Sequence, residues 1–108
     1  MLMICGDDSG LDVADVAEMP GCEGWAEEMT RRGVLRGGAG LQPSSTAVTV
    51  RVRDGRPLIL DGPFAETKDQ IGGFALVECA DMDEAIEVAA KHPAARQWTI
   101  EVRPIMEP

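Results

Sequence analysis

A two-residue turn constrains this chain more than any other feature. Asp54-Gly55 sits between two runs of strand-forming residues, Thr46–Arg53 and Pro57–Asp61. A type I′ turn needs positive φ at both central positions, which Asp-Gly supplies at little steric cost. A tight hairpin follows, and its register with it. With Arg53 opposite Arg56, Val52 faces Pro57, Val50 faces Ile59 and Val48 faces Asp61, because directly opposed residues share one side of the pleat. The valine face therefore ends in a carboxylate. The other face sets Thr49 and Arg51 against Leu60 and Leu58, an amphipathic surface suited to solvent, a partner subunit or a ligand.

Hydrophobic periodicity assigns the remaining elements. The apolar run Met1–Cys5, stopped by Gly6-Asp7-Asp8-Ser9-Gly10, reads as a buried strand and a polar turn. From Leu11 to Arg32, Val13, Val16, Met19, Cys22, Trp25, Ala26 and Met29 recur at three- and four-residue steps, the period of a helix with one buried face. Pro20-Gly21 kinks or divides it; Arg31 and Arg32 suit its C-terminal dipole and Gly33 stops it. Val34–Arg36 forms a short strand, and Gly37-Gly38-Ala39-Gly40 after it lets another backbone approach closely. Phe74–Cys79 alternates as a strand. Asp81, with Glu84 three residues on, caps a second helix over Ala85, Ile86, Ala89 and Ala90, which His92-Pro93 ends. Trp98, Ile100 and Val102 give the last strand.

The order strand, helix, strand, inserted hairpin, strand, helix, strand defines a single α+β domain over residues 1–108. It is a split β-α-β arrangement with two helices on one face of a mostly antiparallel sheet. Leu58, Leu60, Phe74 and Leu76 fall on the other face and predict the pairing of two sheets in a homodimer.

Lys+Arg 10 against Asp+Glu 19 leaves a net charge of −9. Nucleic acid and anionic membrane are poor partners for such a chain, since both require clustered cations. The apolar opening is too short for a signal peptide, so a cytoplasmic protein is expected. Three widely spaced cysteines, Cys5, Cys22 and Cys79, and a single histidine predict no soft-metal site. No cofactor is expected either: no helix follows Gly37-Gly38 or Gly72-Gly73, as a dinucleotide or phosphate loop requires.

The stretch Asp61-Gly62-Pro63-Phe64-Ala65-Glu66-Thr67-Lys68 resembles the signature of the DGPF branch of the YCII-related family. The resemblance continues through Val50–Gly55, Pro93–Arg96 and Ile100–Glu107. It implies a ferredoxin-like dimeric α+β barrel, in agreement with the element order. Some relatives are proposed to be small-molecule enzymes acting through a histidine on the first helix and an acid before a proline after the second. Here Gly21–Gly24 holds no histidine, and His92 stands where that acid would be. The dyad does not carry over, and enzymatic status stays open. The branch is often encoded beside extracytoplasmic-function sigma factors, which implies a sigma-factor-related protein partner and an accessory or regulatory role.

Asp61 and His92 are the catalytic candidates, and Glu66, Lys68 and Arg51 the ligand-binding ones. Asp61 either caps the Gly62-Pro63 turn or sits in a pocket beside Asp61–Lys68, where a carboxylate on a Val/Ile face needs a partner such as Lys68. Glu66 could pair with an arginine, or lie with Lys68 on a solvated loop. Arg51, Arg53 and Arg56 form a basic stripe that either meets an anion or keeps an exposed sheet soluble. His92 is a helix-end cap or a proton carrier, and the helix C-terminus favours its charged form. Two functions follow: a small-molecule protein with that pocket, or a non-catalytic module whose hairpin contacts a protein.

Overall fold

The computed structural model describes residues 1–7, 21–64 and 69–107. In chain order its elements are β1 (Leu2–Asp7), α1 (Cys22–Arg31), β2 (Leu35–Gly40), β3 (Val48–Arg53), β4 (Arg56–Asp61), β5 (Asp69–Val77), α2 (Met82–Ala90) and β6 (Thr99–Val102). Short 3₁₀ turns lie at Ser44–Thr46 and Pro93–Arg96. The expected helical stretch from Leu11 to Pro20 falls outside the described residues.

Four strands form one antiparallel sheet in the order β2-β5-β1-β6. Because β5 lies between β1 and β2, the β1-α1-β2 unit is split, which is the ferredoxin-like arrangement the element order predicted. β2 is longer than Val34–Arg36: it runs on through the glycines to Gly40. Gly38 permits this, since a Cβ there would come within 2.5 Å of the Phe74 carbonyl oxygen.

The helices cover one face of the sheet. Leu2 and Ala75 meet Trp25 and Met29 of α1 and Val88 and Ala89 of α2 in a single core. On α2 the buried positions are Ala85, Val88 and Ala89, while Ile86 is exposed, so the buried stripe runs one residue away from the expected Ile86 and Ala90. The Asp81 carboxylate accepts from the Glu84 N–H at 2.9 Å, and Glu84 accepts from the Ala80 N–H, closing the predicted cap. Arg32 bridges the helices through Glu87 at 3.0 Å.

Trp98 closes the sheet end beside a bulge. Ile4 pairs with Gly73 and Cys5 with Ile71, leaving Gly72 over. The indole lies against the backbone there: a Cβ at Gly72 would come within 2.4 Å of it and one at Gly6 within 2.5 Å.

The hairpin has the predicted register throughout, Val48 opposite Asp61 to Arg53 opposite Arg56. Asp54 and Gly55 have φ of 52° and 74°, as a type I′ turn demands. It forms its own two-stranded sheet. At its root the Gly62 N–H donates to the Ala47 carbonyl at 2.7 Å and the Thr49 hydroxyl to the Gly62 carbonyl at 2.8 Å. Every residue of β4 is exposed. The radius of gyration is 15.5 Å, against about 13 Å for a compact chain of this length. No helix of the described residues is long and apolar enough to cross a membrane.

Two glycine substitutions test this packing. Gly72→Ala forces a methyl into the Trp98 ring and should cost about 1–3 kcal/mol in urea unfolding. Gly24→Ala, in α1 with nothing near its added Cβ, should instead gain about 0.5–1 kcal/mol.

Candidate functional site

Large and small side chains meet unevenly where α1 crosses the sheet edge. Helical spacing places Cys22, Trp25 and Ala26 of α1 toward β2, but β2 presents Gly37-Gly38-Ala39-Gly40 and so offers almost no side chain in return. A cavity of about 350 Å³ remains between them, with Phe74 and Ala75 of β5 contributing to its wall and His92 at its edge. The lining is predominantly apolar, and among the described residues His92 is its one titratable side chain besides the Cys22 thiol. Burial pushes the Cys22 thiol up, away from the reactive thiolate.

His92 is held from two sides. Its Nδ1 accepts the Ala94 N–H at 3.0 Å, capping the 3₁₀ turn Pro93–Arg96. Its ring meets Trp25 edge-on, with centroids 4.7 Å apart at 65°. Trp25 is fixed in turn by its indole N–H, which donates to the Val88 carbonyl at 3.0 Å. The occupied Nδ1 leaves the neutral ring's proton on Nε2. His92 is therefore equipped as a hydrogen-bond donor. To act as a base through Nε2 it would first have to change tautomer and give up Ala94.

The electrostatic expectation for His92 is corrected. A helix C-terminus favours imidazolium, yet the residue is only 7% exposed and burial pushes its pKa below the ordinary value. His92 lies beyond the C-cap, Lys91, and caps the next turn rather than the helix end. The cause of the downward shift is desolvation.

The remaining candidates lie elsewhere. Asp61 is exposed at the end of β4 and does not line this cavity, nor does Arg51. The valine face it ends is not buried within the chain, so its carboxylate needs no partner there. Arg51 stacks over the Phe64 ring at 4.5 Å from its centroid, a contact inside the motif region that the sequence did not suggest. Glu66 and Lys68 lie outside the described residues. Asp61 and His92 are thus on different structural units, hairpin and helical layer. Sequence reasoning missed Trp25 and the Gly37–Gly40 strand as cavity walls. Their signal was a run without side chains opposite a helix bearing an indole. Among the described residues no group of three or more His, Cys, Asp or Glu is placed to hold a metal ion.

An α+β domain with a ferredoxin-like sheet, an inserted hairpin and a cavity under its first helix is the class these features define. The YCII-related domain model matches residues 1–108, and the chain belongs to that family. It is also 45% identical over 69 residues to an uncharacterised protein of Rhizobium meliloti (strain 1021), a match covering 62% of this chain and 56% of the relative. The chain thus spans just over half the length of that curated relative.

Burial of a neutral imidazole carries a pH signature. The folded pKa lies below the unfolded value of about 6.5, so the unfolded chain binds more protons in the window between them. Stability should be fully retained above pH 6.5 and fall as the pH drops toward the folded pKa. Urea titrations from pH 8 to 5 should show a steeper loss in the wild type than in His92→Gln.

Proposed function

We propose that this protein binds a small, largely uncharged organic molecule in the cavity beneath α1. The cavity itself carries the reading: about 350 Å³ is within the range of small-molecule sites, and an apolar lining with one positioned polar group is their usual form. The His92 Nε2–H would donate to a carbonyl or ether oxygen of the ligand, and the Trp25 indole would pack on its apolar body. A neutral ligand suits both a histidine kept uncharged by burial and a chain of net charge −9. If the ligand is turned over, His92 would polarise the accepting oxygen rather than abstract a proton.

The competing position is Asp61 at the hairpin root, for which Arg51, Glu66 and Lys68 are the ligand-binding candidates by sequence, within the stretch we assign to the DGPF branch. The exposure of Asp61 places it second. The other reading is an accessory module acting on a sigma-factor-related protein. The exposed hairpin favours it, because a surface with apolar residues on both sides suits a macromolecular partner.

A thermal-shift screen against neutral metabolites separates these readings. A ligand at about a hundred times its Kd adds about 2.7 kcal/mol to the folded state, a shift on the order of ten degrees or more for a domain of this size. A hit should be lost in His92→Phe and kept in Asp61→Asn. The reverse pattern would move the site to the hairpin root, and no hit in a broad library would favour the accessory role.

A further inference from the structure

The strand that walls the cavity is also an edge of the sheet. In the order β2-β5-β1-β6, β2 pairs with β5 on one side and, among the described residues, with no strand on the other. The Leu41 N–H donates to the Gly72 carbonyl at 2.9 Å. From there the register runs through Gly40 opposite Gly73, Ala39 opposite Phe74 and Gly38 opposite Ala75. Along an antiparallel strand, residues that exchange both backbone bonds with the partner alternate with residues that turn both groups away. Leu41 and Ala39 therefore bond to β5, while Gly40 and Gly38 direct their N–H and C=O groups to the open edge. Two close approaches agree with this phase. A Cβ at Gly38 would come within 2.5 Å of the Phe74 carbonyl oxygen and one at Gly73 within 3.1 Å of the Ala39 carbonyl oxygen, so both oxygens lie in the seam between the strands.

On either side of Ala39 the edge thus offers one acceptor and one donor next to each other, the Gly38 carbonyl and the Gly40 N–H. Gly38, Ala39 and Gly40 are exposed. Gly37–Gly40 carries no side chain larger than a methyl, so neither charge nor proline guards this stretch as they commonly guard sheet edges. All four residues line the cavity under α1, and the outward backbone groups therefore border an apolar space. A lactam complements both features. Its N–H and C=O lie side by side on one edge of the ring, and its apolar face fits between Trp25 and Phe74. We propose that the ligand of the cavity is an uncharged ring amide whose N–H donates to the Gly38 carbonyl and whose carbonyl oxygen accepts the Gly40 N–H. A lactone or a carboxylate would set a second acceptor against the Gly38 carbonyl, and its desolvation would go uncompensated. This rests on the cavity reading and narrows it to one chemical class. The His92 Nε2–H then serves a further oxygen of the same ligand.

The experiment is a heteronuclear NMR titration of the full chain with two ring compounds of nearly the same shape: isoindolinone, which has the amide N–H, and phthalide, in which an oxygen replaces it. Isoindolinone should bind about tenfold or more tighter than phthalide. It should move the Gly40 amide proton downfield and perturb the side-chain signals of Trp25 and His92. Gly40→Pro removes the outward N–H without removing a ladder bond, a change that edge strands accept, and should weaken isoindolinone about tenfold. Gly40→Ala keeps the N–H, and its Cβ meets nothing within 4 Å; it should bind as the wild type does. Both variants are compared at unchanged circular dichroism, and the two ligands on the wild type decide the matter if Gly40→Pro does not fold. Equal affinity for lactam and lactone, with shifts at Trp25 and His92, would overturn the proposal and leave the cavity reading standing. So would equal weakening by Gly40→Ala and Gly40→Pro. A shift at Gly40 with none at Trp25 or His92 would overturn both. Binding of neither compound at millimolar concentration would overturn the proposal, with the cavity reading still decided by the thermal-shift screen.

Discussion

Trp25 is the residue on which the helical layer depends. Its indole N–H reaches the carbonyl of Val88 on α2, its ring meets His92, and its body is buried beside Met29 against Leu2 and Ala75. One side chain thus sets the spacing of the two helices, orients the only histidine and walls the cavity. A hydrogen bond made where water is excluded is costly to lose, which is why a large residue with one polar handle suits this place. The outer Arg32–Glu87 pair links the same helices in solvent and adds little beside it.

Two kinds of small residue complete the design, with opposite effects. At Gly6 and Gly72 the absence of a side chain is filled: the Trp98 ring occupies that space and seals the sheet end. Along Gly37–Gly40 the absence is left empty, and the cavity results. The difference lies in what faces the glycines. Trp98, immediately before β6, lies against its pair, whereas the Trp25 indole N–H is committed to the Val88 carbonyl.

The body and the hairpin answer to different demands. The body buries its apolar residues within one chain, as Leu2, Met29 and Val88 show. The hairpin follows its own turn chemistry and cross-strand pairing and leaves both faces in water. Its net charge, three arginines against two aspartates over residues 48–61, is opposite in sign to that of the rest of the chain.

Local chemistry was enough to read much of this in the amino-acid order. The Asp54-Gly55 turn fixed the hairpin register because positive φ at two successive residues admits few turns. The Asp81–Glu84 cap and the Trp25–Met29 spacing placed the helices for equally local reasons. Family membership was legible in the Asp61–Lys68 stretch. What sequence could not decide was burial. Asp61 sits on a valine face, and whether that face is dry depends on what packs against it, which is a long-range property. The pKa direction of His92 turned on the same question: its sequence neighbours suggested a helix-end dipole, and only the tertiary arrangement enclosed the ring beside Trp25. The cavity is likewise a product of tertiary structure, because its walls come from α1, β2 and β5, which only the fold brings together.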